Sequence, residues 1–220
     1  MSLPPSGGAK RIGVALACCN QAHFLGDAIR SILAQTHRVD EIIVVDDGSC
    51  DATRQVSTSF PEVTYHFQEN GGLSSARNTG LRLCGCERIL FLDADDLLKP
   101  TAIADGMARF DEVPDAAFVY GGYMEVTEYR ELMFARNAVE HEDAFAGLLL
   151  GNHVSMHGTV IYNAEMLRDS GGFDTGLKSC EDYDVFLRLA RRHPIAAYDS
   201  IGAEYRRHGN NMTGNHIRMM

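Results

Sequence analysis

The sequence lacks the spacing patterns of a disulfide-rich, zinc-finger or membrane-spanning protein. Its six cysteines include no Cys-x-x-Cys pair and no neighbouring row of cysteines and histidines that would suggest structural zinc. No stretch reaches the roughly 18 apolar residues of a membrane span, and the N-terminus lacks a basic segment followed by an apolar one. We therefore expect reduced thiols and a cytosolic location, with peripheral association at a membrane left open.

Positive charge is scarce as well. The chain has 30 acidic and 20 basic residues, a formal net charge of -10, and its basic residues form no dense cluster. This balance argues against a nucleic-acid partner, because the phosphate backbone requires concentrated positive charge. An anionic substrate would need a metal ion or local hydrogen-bond donors.

The length and composition predict one substantial domain. The chain has 220 residues, of which 45% are hydrophobic and 23% charged, as in ordinary globular proteins. Residues 1–9, rich in proline, serine and glycine, read as a flexible leader or an expression remnant. We therefore take residues 10–220 as a single domain.

Apolar runs of strand length alternate with amphipathic helical patterns. This alternation predicts an α/β fold with a mostly parallel central sheet flanked by helices. The predicted strands are 12–17, 41–45, 63–67, 88–92, 116–126 and 158–162, the fifth of them interrupted by Gly121-Gly122. The predicted helices are 24–33, one from about 51, 73–83, 101–110, 142–150 and 181–192.

Carboxylates follow the ends of two predicted strands and open the last predicted helix. They are Asp46-Asp47, the cluster Asp93-Ala94-Asp95-Asp96, and Glu181-Asp182. In an open α/β sheet, ligands bind beyond the carboxyl ends of the strands, so these groups are candidates for one site.

The cluster after the fourth strand is a candidate metal site. Three unpaired carboxylates would raise one another's pKa unless a cation compensates them, and Mg²⁺ or Mn²⁺ prefers oxygen ligands. The alternative is a capped turn in a solvated loop, with Asp96 no more than a helix cap.

The turn Asp46-Asp47-Gly48-Ser49 also has two interpretations. It can be a tight turn in which Ser49 or Asp51 caps the next helix. That arrangement leaves the Asp47 carboxylate free to face the crevice, where it could accept hydrogen bonds from a base or ribose.

The last helix contains the candidate general base. Its buried side is predicted to contain Tyr183, Phe186 and Leu187, with Glu181 and Asp184 projecting away, the latter paired with Arg188. Asp182 flanks the apolar stripe, where partial desolvation would raise its pKa, as a base requires. Glu181 is the second candidate, because the helix start is uncertain by a residue or two.

The segment from Tyr205 to His208 is cationic in an acidic protein. It could close over a diphosphate, or it could be a basic C-terminal tail.

Several motifs in order resemble the inverting nucleotide-diphospho-sugar glycosyltransferases of family 2, which have the GT-A fold. They are Val44-Val45-Asp46-Asp47-Gly48-Ser49, Asn70-Gly71-Gly72 through Ala76-Arg77-Asn78, Phe91-Leu92-Asp93-Ala94-Asp95-Asp96, Gly171-Gly172-Phe173-Asp174 and Glu181-Asp182-Tyr183-Asp184. The resemblance implies a nucleotide-binding half at about 10–100 and an acceptor and catalytic half at about 101–220.

The resemblance also implies roles for individual residues. The loop from Ala17 to Asn20 and the side chains of Asp47 and Arg77 would bind the nucleotide. Asp93 would lie near the ribose or serve as a second metal ligand, Asp95 would bind the metal with help from Asp96, and His208 would meet the diphosphate or metal. Asp182 would be the base. The loop Ala17-Cys18-Cys19-Asn20 departs from the common family pattern.

The implied reaction is direct displacement from a nucleotide-diphospho-sugar to a hydroxyl of a saccharide or glycolipid, assisted by Mn²⁺ or Mg²⁺. His157 is either an acceptor ligand or an ordinary loop histidine. Two other interpretations remain: a non-catalytic nucleotide-sugar-binding protein of the same fold, and a haloacid-dehalogenase-like phosphatase, suggested by Asp93-x-Asp95 after an apolar strand.

Overall fold

The computed structural model describes residues 10–209 and residue 211. The strands are β1 (Ile12–Cys18), β2 (Glu41–Asp47), β3 (Val63–Gln68), β4 (Arg88–Asp93), β5 (Leu97–Leu98), β6 (Phe118–Thr127), β7 (Leu132–Arg136), β8 (Val160–Asn163) and β9 (Ile195–Arg207). The helices are α1 (Ala22–Leu33), α2 (Thr53–Thr58), α3 (Leu73–Leu83), α4 (Ala102–Glu112), α5 (Ala144–Leu150), α6 (Ala164–Asp169) and α7 (Glu181–Ala190), with a 3-10 turn at His157–Thr159.

The first half of the chain forms the parallel part of the sheet. Its strands lie side by side in the order β3-β2-β1-β4, and all three pairings are parallel. Ala17 near the end of β1 lies opposite Val45 of β2 and Asp93 of β4. The register therefore brings the carboxyl ends of β1, β2 and β4 together at one edge, as the sequence predicts.

The second half continues the sheet with mixed pairing. The order after β4 is β8-β6-β9-β5, in which only β6 and β9 run parallel, and β7 pairs with β6. The predicted α/β class with flanking helices is confirmed. The parallel prediction holds for the βαβ units of the first half, where each crossover contains a helix.

Helices cover both faces of the sheet because the strand side chains alternate. Ile12, Val14 and Leu16 of β1 pack towards α1 and α4, whereas Ala15 lies in the opposite core with residues of α3, α6 and α7. This two-sided burial explains why β1, β2 and β4 read as nearly continuous apolar runs. The polar residues that end or follow these strands lie at the carboxyl edge of the sheet.

The glycine pair in β6 marks a bend that any larger residue would block. A Cβ at Gly121 would lie 2.2 Å from the ring of Tyr198, and one at Gly122 would lie 2.5 Å from the carbonyl oxygen of Arg136. The pairing of β6 with β9 shifts register between Tyr120 and Tyr123. β6 can therefore pair first with β8 and then with β7 along the same edge.

The interpretation of Tyr205 to His208 as a basic tail is wrong. Residues 205–207 end β9, a 13-residue strand that the sequence did not predict, and the backbone of Arg206 is bonded to the Asp96 side chain. The strands β5 and β7 and the helix α6 were also not predicted. The suggested leader at residues 1–9 lies outside the described residues.

Two expectations about the chain as a whole can be compared with its described part. Among the described residues, no helix is both long and apolar enough to cross a membrane. All six cysteines fall in that part and are free thiols.

Candidate active site

Asp95 lies at the centre of the acidic turn between β4 and β5. Its Oδ2 is 2.8 Å from Nε2 of His208 and accepts a hydrogen bond of 3.1 Å from Nε2 of Gln21. The His208 ring in turn lies against Phe24, with 4.8 Å between ring centroids. The pKa of Asp95 is raised by burial and by the charge of Asp93, and the contact with His208 opposes that shift. A cation at this carboxylate would offset both effects and favour the ionised form of Asp95.

Asp96 is part of the framework and does not cap a helix. It is buried, and its Oδ1 accepts a hydrogen bond of 3.0 Å from the backbone N–H of Arg206 on β9. The Arg206 guanidinium lies over the Phe24 ring at 4.7 Å from the centroid. Burial, followed by the charges of Asp95 and Asp93, raises the pKa of Asp96 well above its ordinary value. The next residues form β5, so the alternative of a helix cap is wrong.

The three aspartates of this turn are held by different partners. Asp93 is bonded to Arg77, Asp95 to His208 and Asp96 to β9. In the described part of the chain they do not bring three ligand atoms within 4.8 Å of one another. Of these contacts, the one between Asp95 and His208 brings together an oxygen and a nitrogen that could both bind a metal ion.

Arg77 connects the end of β4, at the acidic turn, to α7, the predicted base helix. It is 3% exposed, and its Nη2 donates to Asp93 at 2.9 Å while Nη1 donates to Glu181 at 2.7 Å. The Phe173 ring packs against the guanidinium at 5.6 Å. Burial alone would lower the pKa of Arg77, but Asp93, Glu181 and Asp182 outweigh it and raise the pKa. Arg77 is therefore a permanent cation that holds β4 and α7 together.

The prediction that Glu181 projects into solvent is wrong. Glu181 is 7% exposed, and the buried side of α7 consists of Glu181, Val185, Phe186 and Leu189. The apolar stripe is rotated relative to the prediction, and the ion pair with Arg77 compensates the buried Glu181 carboxylate. Asp184 does pair with Arg188 as expected, at 2.8 Å.

Asp182 has the properties that a general base requires. Its side chain is half-buried, and its Oδ1 accepts a hydrogen bond of 2.7 Å from the backbone N–H of Tyr183. Burial raises the pKa of Asp182; Arg77 opposes this shift and Glu181 adds to it. Of the two candidates, Glu181 is tied to Arg77, and Asp182 carries the raised pKa.

Asp47 does not present a free carboxylate to the crevice. It is 4% exposed and accepts hydrogen bonds from the backbone N–H groups of Gly71 at 2.8 Å and Gly72 at 2.9 Å, and from Gln68 at 2.7 Å. The expectation of a free Asp47 is wrong in that respect. The carboxylate fixes the glycine loop that precedes α3, and its contact with a nucleotide stays a prediction.

The loop from Ala17 to Asn20 lies beside this turn. Asn20 has a positive φ of 56° and receives the Cys50 N–H on its Oδ1 at 2.9 Å, while its own N–H donates to the Ser49 hydroxyl. Asp51 accepts the N–H groups of Thr53, the first residue of α2, and Ala22, the first residue of α1, while the N-cap position of α2 is Ala52 and makes no side-chain cap. The first two strand-end loops therefore form one connected rim.

His157 is a buried histidine and does not face the crevice. Its ring packs against Phe91, Phe173 and Tyr162, with centroid distances of 5.4–5.7 Å. Burial, with the nearby charge of Arg77, lowers its pKa well below the usual value. Of the two interpretations of His157, the ordinary histidine is therefore the correct one. It lies in a buried 3-10 turn and not in an open loop.

Two contributors to the site were not predicted. Gln21 contacts Asp95, and Asn78 exchanges hydrogen bonds with the backbone of Phe173 at 2.7 and 2.8 Å. Gly171 and Gly172 adopt positive φ values of 94° and 67° just before Phe173. The motifs around Asn78 and Phe173 could have indicated such a bond, because glycine pairs often mark a backbone turn.

Comparison with known families tests the phosphatase interpretation. The model of the family described as "Glycosyl transferase family 2" matches residues 14–171. The chain belongs to glycosyl transferase family 2. This membership removes the haloacid-dehalogenase-like phosphatase from consideration.

Curated relatives of this family 2 chain carry similar descriptions. An uncharacterized glycosyltransferase of Rickettsia typhi is 31% identical over 188 residues, covering 82% of this chain and 58% of the relative. One from Haemophilus influenzae is 28% identical over 174 residues, covering 77% of this chain and 58% of the relative. The chain thus spans somewhat more than half the length of these relatives.

Solved structures show the same fold. Residues 1–349 of Staphylococcus aureus TarS in complex with UDP-GlcNAc superpose with a TM-score of 0.74 at 21% identity, covering 93% of this chain and 60% of that one. The UDP complex gives a TM-score of 0.72 over 90% of this chain. The family 2 chain therefore has the GT-A architecture.

Proposed function

We propose that this chain transfers a sugar from a nucleotide-diphospho-sugar to a hydroxyl group of an acceptor, with inversion at the anomeric carbon. The observation that carries the proposal is the position of Asp182. Its carboxylate is half-buried and has a raised pKa. The preceding residue, Glu181, forms an ion pair with Arg77, and Arg77 also bonds to Asp93 at the acidic turn. Family membership supports the same reaction class.

The donor would bind at the carboxyl edge of β1, β2 and β4. We assign the nucleotide to the rim formed by Ala17, Asn20 and the loop that Asp47 fixes, with Arg77 and Asp93 beneath it. A nucleoside diphosphate donor is supported by the TarS structures, which are described with UDP and with UDP-GlcNAc.

A divalent ion, Mn²⁺ or Mg²⁺, fits the residues of the acidic turn. Asp95 and His208 supply an oxygen and a nitrogen donor 2.8 Å apart, and Asp93, two residues before Asp95, is a further carboxylate. Asp96 would assist from the side of β9. Such an ion, when bound, would neutralise the charge that develops on the departing diphosphate.

The chemical step would be a single displacement. Asp182 would accept the proton of the acceptor hydroxyl as its oxygen forms a bond to the anomeric carbon and the bond from that carbon to the diphosphate breaks. Arg77 keeps the Glu181 carboxylate compensated, so that Asp182 is the group available for the proton. A saccharide or glycolipid acceptor would approach from the side of residues 151–156, without a contact from the buried His157.

A screen of UDP-, GDP- and dTDP-linked sugars tests the proposal. A true donor should raise the melting temperature only in the presence of Mn²⁺ or Mg²⁺. At a hundredfold excess over Kd, binding should add about 2.7 kcal/mol to the free energy of unfolding. The same donor should then be consumed with release of nucleoside diphosphate. Donor binding without any transfer or hydrolysis would favour the non-catalytic binding protein. The absence of a metal-dependent shift with every donor would contradict the proposed metal-assisted transfer.

A further inference from the structure

A second cluster of ligand groups lies at the opposite end of the sheet. The thiols of Cys84 and Cys86 and the carboxylate of Glu41 bring one ligand atom each to within 4.8 Å of one another. Glu41 is the first residue of β2, and the two cysteines lie in the connection between α3 and β4. The cluster is therefore at the amino ends of the strands, away from the acidic turn.

Gly13 of β1 leaves space for the two thiols and the carboxylate because it has no Cβ. A Cβ at Gly13 would lie 2.5 Å from Sγ of Cys84, 3.6 Å from Sγ of Cys86 and 3.6 Å from Cβ of Glu41. The Gly85 N–H donates to Oε2 of Glu41 at 2.9 Å, which orients the carboxylate next to both thiols. The two thiols are only 2–3% exposed.

Arg11 contacts two of the three groups, Glu41 and Cys86, and is not itself a ligand candidate. Its Nη2 donates to Oε1 of Glu41 at 2.6 Å and lies 3.6 Å from Sγ of Cys86. In the absence of a metal, burial raises the pKa of both thiols, so the neutral cluster consists of two thiols and a compensated carboxylate. Exchange of the two thiol protons for one divalent ion would leave the total charge unchanged, because the ion and Arg11 balance two thiolates and one carboxylate.

We propose that Cys84, Cys86 and Glu41 bind a zinc ion that ties together the amino ends of β1, β2 and β4. Two sulfur ligands and one carboxylate oxygen suit zinc, and they do not suit the hard ion expected at the acidic turn. Tetrahedral zinc places two sulfur ligands about 3.8 Å apart, a spacing compatible with ligand atoms that all lie within 4.8 Å of one another. Three protein ligands leave the fourth position to water, and Arg11 would orient the carboxylate from outside.

Cobalt provides a direct test, because thiolate ligands give Co²⁺ an intense charge-transfer absorption that oxygen ligands do not. The full chain with Cys19→Ser, Cys50→Ser and Cys180→Ser, which removes the exposed thiols, should bind one Co²⁺ with this absorption. Stoichiometric Zn²⁺ should abolish it. Cys84→Ser and Cys86→Ser should each reduce the band by about half or remove it, and Cys18→Ser, a buried thiol outside the cluster, should leave it unchanged.

Glu41→Gln keeps both thiols and tests the third ligand. We expect zinc affinity to fall roughly tenfold or more, while the matched change Asp95→Asn at the acidic turn leaves the band and the affinity unchanged. The absence of a thiolate band in the background variant would overturn the proposal. So would a full band in Cys84→Ser and Cys86→Ser, or unchanged zinc affinity in Glu41→Gln. If a serine variant does not fold, the Glu41→Gln result decides alone.

Discussion

Replacement of Arg77 by methionine should destabilise the protein more than any surface charge change. Arg77 is 4% and Glu181 is 9% exposed at the side chain, so the variant leaves a buried carboxylate without its cation. Removal of one partner of such a pair costs about 3–5 kcal/mol. Asp93, whose side chain is 37% exposed, adds little because water screens its charge. At about 2–4 °C per kcal/mol for a chain of this size, the melting temperature should fall by roughly 6–20 °C.

Urea unfolding followed by circular dichroism measures this loss. The double variant Arg77→Met/Glu181→Gln removes the stranded charge and should recover roughly half of the lost stability or more, a coupling expected for residues in contact. Arg30→Met breaks the exposed pair with Asp27 and should change stability by less than about 1 kcal/mol. A loss below about 1 kcal/mol for Arg77→Met, or a double variant as unstable as the sum of both single variants, would refute the reasoning.

Three further predictions follow from other parts of the site. Burial raises the pKa of Asp182, and a base must be ionised to act. In a pH profile, kcat/KM should therefore fall on acidification at a higher pH than for an ordinary aspartate. A fall only near pH 4 would contradict this prediction. His208→Ala should weaken Mn²⁺-dependent binding of a nucleoside diphosphate in calorimetry and leave metal-free binding nearly unchanged, whereas equal losses in both would exclude a metal ligand. Gly121→Ala should cost about 1–3 kcal/mol of unfolding free energy, because the new Cβ meets the Tyr198 ring, and a neutral variant would show that the bend relaxes freely.

The parallel half of the fold could be predicted because local pattern determines it. Short apolar runs such as residues 41–45 and amphipathic stretches such as 24–33 each identify their own element, and the βαβ connection fixes the pairing. The mixed half depends on contacts far apart in sequence. β9 is confined between β6 and β5, and nothing local in its mixed sequence indicates a strand of 13 residues.

The positions of the candidate site residues could be predicted, but their partners could not. Strand ends place Asp93 and Asp95 at the crevice, whereas only the folded chain shows that Arg77 reaches Glu181, 104 residues away. That ion pair rotates the buried side of α7 and so separates the roles of Glu181 and Asp182. Asp47 illustrates the same limit, because its backbone partners at Gly71 and Gly72 have no side-chain signal in the sequence.

Asp182→Asn provides the most direct test of the central claim that this carboxylate is the base. The donor identified by the screen is used to measure both nucleoside diphosphate binding and transfer rate in Asp182→Asn and Glu181→Gln. Because ionised Asp182 has a raised pKa in the folded chain, its charge lowers stability above that pKa, so Asp182→Asn should fold with equal or greater stability at neutral pH. We predict near-unchanged binding and a transfer rate reduced about 10²–10⁴-fold in Asp182→Asn, with measurable transfer in Glu181→Gln. Retained transfer in Asp182→Asn together with its loss in Glu181→Gln would contradict the assignment.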